Sequence, residues 1–124
     1  MEVKKMSADE FSVFYLRITD DLDVLIEDDN FWTLVEERKR TDDKKKAARY
    51  GLAFANKAVA YLLRIHKAVL YNIVGALLDK DSDEIGKMAV PELVKPIYGL
   101  ISDKRFMDFF PQSGESEQET QSDT

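Results

Sequence analysis

The chain has 124 residues and no cysteine; 44% of its residues are hydrophobic and 34% charged, and its formal net charge is −6. This is enough for one folded core and too apolar for disorder throughout, and without cysteine there are no disulfides, thiolate zinc sites or cysteine nucleophiles. No stretch approaches the roughly 18 to 20 apolar residues of a membrane span, and the opening MEVKKMSADEF lacks a signal-peptide run, so a soluble, cytoplasmic protein is expected.

Ser7-Ala8-Asp9-Glu10 has the S-x-x-E form of a capping box and predicts a helix from about Ala8. Phe11, Phe14, Ile18, Leu22 and Leu25 then recur at spacings of three and four, one apolar face running to about Glu27. Asp28-Asp29-Asn30 interrupts the pattern and supplies the next cap, before a short helix carrying Phe31, Trp32, Leu34 and Val35. Arg38, Lys39 and Arg40 follow, bases suited to a C-terminal turn.

Thr41, Asp42 and Asp43 open the longest expected helix, from about Asp43 to His66. It reads as apolar almost all round from Ala47 to Ile65, with Ala47, Ala48, Ala53, Ala55, Ala58 and Ala60 admitting close neighbours and Leu52, Phe54, Val59, Leu62 and Leu63 filling the gaps. That pattern predicts a central helix. Val69, Ile73, Ala76 and Leu77 form the next stripe after a bend near His66.

Asp79 to Ser82 is a capped loop, followed by a short turn around Glu84 to Met88. Pro91 suits the first turn of a helix continued by Leu93, Ile97, Leu100 and Ile101, which Pro96 should kink or shorten. Asp103 caps a last segment bearing Phe106, Met107, Phe109 and Phe110. The expected fold is therefore all-α: a single-domain bundle of about five or six helices over residues 1–110. Residues 111–124 contain no apolar side chain beyond Pro111, and their Gln, Ser, Glu and Thr composition predicts a disordered acidic tail. Glu115, Glu117, Glu119 and Asp123 carry most of the acidity, leaving residues 1–110 at −2.

Chemical signatures are sparse. DSDEIGKMAVPE, residues 81–92, matches a calcium loop at Asp81, Asp83, Gly86, Met88 and Glu92, but Ile85 occupies a ligand position and Pro91 reads better as a helix start. His66 is the single histidine, so paired-His metal sites and Ser-His pairs lack members. The five glycines form no phosphate-binding fingerprint, and neither an enzymatic activity nor a cofactor is expected. Arg38, Lys39, Arg40, Lys44, Lys45, Lys46 and Arg49 offer an alternative phosphate-binding run, as in a small nucleic-acid-associated or regulatory protein of a mobile element. Asp42 and Asp43 interrupt it and the body is net acidic, which favours a solvated helix junction.

From about Leu62 to Phe110 the chain runs helix, break, helix, acidic loop (NIVGALLDKDSDEI), a post-proline leucine segment (VPELVKPIYGLI) and a D-x-R-F-x-x-F-F close. This order of parts, about two fifths of the chain, resembles the tail assembly chaperones of long-tailed phages and prophages. The resemblance implies a non-enzymatic, all-helical protein of the host cytoplasm during assembly. Its partners would be the tape-measure protein and tail-tube protein, and it would be absent from the finished virion. A subunit covering a client many times its own length is also expected to be a homo-oligomer. The expected partner-binding residues are the apolar ones beside the acidic tail, Phe106, Met107, Phe109 and Phe110, with Tyr98 on the preceding helix.

Overall fold

A computed structural model describes residues 3–110. A 3-10 turn at Val3–Lys5 leads into α1 (Ala8–Glu27), α2 (Asp29–Glu36), α3 (Lys44–Ile65), α4 (Lys67–Leu78), α5 (Ser82–Gly86), α6 (Val90–Ile101) and α7 (Lys104–Met107). The chain is an all-α, single-domain helical bundle, and no strand occurs among the described residues. No helix among them is long and apolar enough to cross a membrane. The acidic segment 111–124 lies outside the described residues.

Caps set most of the helix boundaries. Ser7 and Glu10 form the reciprocal box at the start of α1. Asp28, Asp43 and Asp103 each accept first-turn amides of the helix that follows, a contact worth about 1 kcal/mol apiece. Among the described residues there are seven α-helices, against the about five or six expected. A break at His66 separates α3 from α4, and α5 and α7 each begin at their own aspartate, Asp81 and Asp103.

Two pairings build the body: α3 lies against α6, and α1 lies against α4, with α4 also touching α3, α5 and α6. Phe14, Ile18, Leu22 and Leu25 enter the core from α1, Val69, Leu70, Ile73, Val74 and Leu77 from α4, and Leu93, Val94, Ile97 and Leu100 from α6. Helix α3, expected to be a central helix apolar almost all round, packs on α2, α4 and α6 but leaves part of that surface exposed. It buries only Phe54, Ala55, Ala58, Val59 and Leu62; Ala48, Ala53 and Ala60 face outward and Leu52 is half exposed. Lysines and arginines at positions 44, 45, 46, 49, 57 and 64 keep the remaining faces in water.

Pro96 neither shortens nor interrupts α6. The carbonyl that its missing N–H would have met belongs to Glu92, an exposed residue where water can serve instead. Helix α2 stops at Glu36, ahead of the basic run, and the Arg38 guanidinium reaches back to donate to the Val35 carbonyl at 2.6 Å.

Helix α4 closes by placing Asp79 in the left-handed region (φ 55°) so that the Lys80 amide meets the Gly75 carbonyl at 3.0 Å. This turn brings the Lys80 carbonyl within 2.5 Å of where a Cβ on Gly75 would stand, whereas a Cβ on Gly99 would meet nothing within 4 Å. Gly75→Ala should therefore lower stability by about 1–3 kcal/mol through overpacking. Gly99→Ala should raise it by about 0.5–1 kcal/mol, by removing a mid-helix glycine. Urea unfolding of the two variants checks this; equal effects would contradict the α4–α5 turn described.

Candidate functional site

The four C-terminal apolar residues do not share one environment. Phe106, Met107 and Phe110 are 5%, 8% and 5% exposed and belong to the core. Phe110 contacts Phe31, Trp32 and Phe106 at ring-centroid distances of 6.0, 5.8 and 5.5 Å, which makes it the hub where α2 and α7 meet. Phe109 is 38% exposed and stacks on Tyr15 of α1, with centroids 5.4 Å apart and planes within 8°. Tyr98 is half-buried, its ring over Gly51 at the α3–α6 crossing. Of the five expected partner-binding residues, Phe106, Met107 and Phe110 pack back onto the bundle as its last core layer and Tyr98 is taken up between two helices, while Phe109 keeps an exposed edge.

The D-x-R-F sequence works as a latch. Asp103, itself buried, accepts the Arg105 amide at 2.8 Å to start α7 and holds the Arg105 guanidinium through both carboxylate oxygens, at 3.1 and 2.8 Å. The same guanidinium donates to the carbonyls of Met6 (3.2 Å) and Val3 (2.9 Å) and lies over the Phe11 ring at 4.3 Å. Hydrogen bonding by Arg105 holds the Asp103 carboxyl below its ordinary range. Such planar, forked contacts suit arginine and not lysine. The end of the described chain is thereby tied to its beginning.

His66 stands at the break between α3 and α4 with its imidazole partly exposed. Its Nε2 lies 2.6 Å from Asp28 Oδ2, and the Tyr61 hydroxyl donates to the same oxygen at 2.6 Å. Asp28 Oδ1 meanwhile accepts the amides of Asn30 (2.9 Å) and Phe31 (3.1 Å). A carboxylate offers only acceptors, so the proton between Nε2 and Oδ2 sits on the imidazole. Burial alone would raise the Asp28 carboxyl, but the hydrogen bonds from Tyr61, His66, Phe31 and Asn30 outweigh it and bring it to about 2. The bond to Asp28, followed by burial, pushes Tyr61 up to about 12. Through these bonds the trio ties the start of α2 to the break between α3 and α4 as a structural joint.

The acidic turn at residues 81–92 is likewise spent on backbone. Asp81 and Glu84 form a capping box, Glu92 accepts the Ala89 amide at 3.0 Å, and Ile85 is fully buried. Among the described residues no group of three or more metal-ligating side chains comes together.

The basic run is divided. Lys44, Lys45 and Lys46 stand exposed in the first turn of α3. Arg38, Lys39 and Arg49 line a cleft of about 370 Å3 together with Tyr50 and Lys57, and Lys39 Nζ lies 5.7 Å from the Tyr50 ring. Arg38 and Arg40 border a second cleft, of about 340 Å3, that Asp103, Lys104 and Asp108 also line. Six bases thus edge adjoining clefts, with Glu37, Asp103 and Asp108 diluting the field.

Comparison with protein-family models, with curated proteins and with solved structures returns no match. The surface itself is therefore the source of functional evidence. Its large exposed apolar residues include Leu16 (73%), Val13 (61%) and Val24 on α1 and Leu52 (51%) on α3. The residues at 13, 16, 20 and 24 fall on one outward face of α1, as do those at 45, 49, 52 and 56 on α3.

Two outcomes test these assignments. Met107→Ser with Phe110→Ser should abolish cooperative unfolding, since truncating a buried phenylalanine alone costs about 3–5 kcal/mol; a folded double variant by circular dichroism would return the pair to the surface. Because the Asp28 pKa is lowered from 3.8 to about 2, the stability it adds is complete above about pH 4 and is lost as pH falls through about 2. Asp28→Asn should therefore lower stability by about 1–3 kcal/mol at pH 5, with the gap to wild type narrowing toward pH 2. A gap constant with pH would contradict the joint.

Proposed function

We propose that the protein is a tail assembly chaperone of a long-tailed phage or prophage, a non-enzymatic helical subunit that binds the tape-measure protein and helps bring tail-tube subunits to it in the host cytoplasm. The observation that carries this reading is the outward apolar row on α1. A chain of this size with a filled core has no internal use for Leu16 at 73% exposure, with Val13 and Val24 on the same face. A helical client can lay its own apolar stripe against such a row. The order of parts from Leu62 to Phe110 supports the same reading, and in this chain the D-x-R-F-x-x-F-F close serves the bundle itself.

The basic clefts around Arg38, Lys39, Arg40 and Arg49 favour a second reading, phosphate binding by a small regulatory protein of a mobile element. One experiment separates the two. Immobilised protein is offered the tape-measure protein of its own genome and, in parallel, duplex and single-stranded nucleic acid at rising salt. The chaperone reading expects capture of the tape-measure protein, lost in Val13→Ser/Leu16→Ser, and no mobility shift at physiological salt. A steeply salt-dependent shift without tape-measure capture would overturn it in favour of phosphate binding.

A further inference from the structure

Helices α1 and α3 are electrostatic opposites. Helix α1 carries six acids against one base, Arg17, which leans toward Asp79 at 3.7 Å. Helix α3 carries six bases and no acid. The two do not neutralise each other within the chain, because α1 is packed on α4 and α2 while α3 is packed on α6 and α4. On the outward side of α1, Leu16, Asp20, Asp23 and Glu27 follow at intervals of four, three and four; on that of α3, Lys45, Arg49, Leu52 and Asn56 do the same. Both rows are exposed and extend about 16 Å along the helix. None of Asp20, Asp23, Glu27, Lys45 and Arg49 has an ion-pair partner among the described residues.

The order of side chains along each row fixes a polarity. Read from its N-terminus, the α1 row is apolar first and acidic afterwards. Read from its N-terminus, the α3 row is basic first, then carries Leu52 and the uncharged Asn56. Laid antiparallel with Leu16 on Leu52, Asp20 meets Arg49 and Asp23 meets Lys45, and the two helix dipoles are opposed as well. A parallel arrangement would set Leu16 against Lys45 and Leu52 against Asp23, keeping only the pair Asp20–Arg49.

We propose that copies of this chain associate head to tail, the outward face of α1 in one copy lying antiparallel on the outward face of α3 in the next. The contact is heterologous: each copy uses one face and leaves the other open, so association continues into a chain or ring and does not stop at a symmetric dimer. Surface charge pairs of this kind are screened by salt, and the assembly is accordingly reversible and salt-sensitive. The proposal deepens the chaperone reading, on which it rests for its client: a neighbouring copy and the client share Leu16 on α1 and compete for that face, and the test of self-association needs no client.

Sedimentation velocity of the purified full chain should show mass rising with concentration at low salt, and a return toward monomer at 0.5 M salt. Asp20→Lys/Asp23→Lys and Lys45→Glu/Arg49→Glu should each need at least tenfold higher concentration to associate, because each variant places like charges across its own contact. An equimolar mixture of the two should associate again, since every contact between unlike variants then joins opposite charges. That recovery also excludes misfolding as the cause of the loss. A wild type that stays monomeric at low salt, variants that associate as wild type does, or a mixture that stays monomeric would each overturn the proposal. Failure here leaves capture of the tape-measure protein to decide the chaperone reading separately.

Discussion

A single carboxylate joins the two corners of this bundle. Asp28 ends α1, starts α2 through one oxygen, and receives Tyr61 and His66 from the α3–α4 break through the other. Four donors converge on two oxygens, the condition under which a partly desolvated charge stabilises a fold and does not burden it. The consequences extend outward from there. Fixing the α1–α2 corner aims Phe31 and Trp32 at Phe110, and fixing Tyr61 sets a ring against Phe31, 6.0 Å between centroids.

The same rings explain why the chain can end its fold where it does. Helix α7 has only four residues and would not persist alone. It is held by Phe106, Met107 and Phe110 in the core and by the Asp103–Arg105 latch on the N-terminal carbonyls, contacts that span about a hundred positions of sequence. Once the C-terminal segment is committed to this closure, Phe106, Met107 and Phe110 are unavailable for a partner. Surfaces for binding must be sought on the outer faces of α1 and α3, where apolar side chains stand among charges of opposite sign.

Much of the architecture was legible in local sequence. The capping box at Ser7, the apolar spacing of α1 and the caps at Asp28, Asp43 and Asp103 each act within one turn, and the helices begin where those residues place them. What could not be read is contact between distant turns. Nothing in spacing links Asp28 to His66, 38 positions on, or Arg105 to the carbonyls of Val3 and Met6. The alanines of α3 misled for a related reason: alanine permits close packing and equally tolerates solvent, so composition alone cannot choose. The candidate surface was partly legible. Seeking apolar residues outside the helical stripe is a sound criterion, and applied to α1 it selects Val13, Leu16 and Val24. Applied to the C-terminal segment it fails, since α7 is too short for a stripe to be defined.

Charge organises the exterior as hydrophobicity organises the interior. A near-neutral body divided into an acidic helix and a basic one is poised for association with its own kind or with a client of mixed charge, provided the bundle holds both helices rigidly. That rigidity rests on the Asp28 joint, and native-state hydrogen exchange tests it most directly. In Asp28→Asn, amides at the α1–α2 corner, near residues 28–31, and at the α3–α4 corner, near residues 66–70, should lose protection together although 38 positions separate them. Loss confined to the first corner, with the second unchanged, would contradict the claim that one carboxylate holds both.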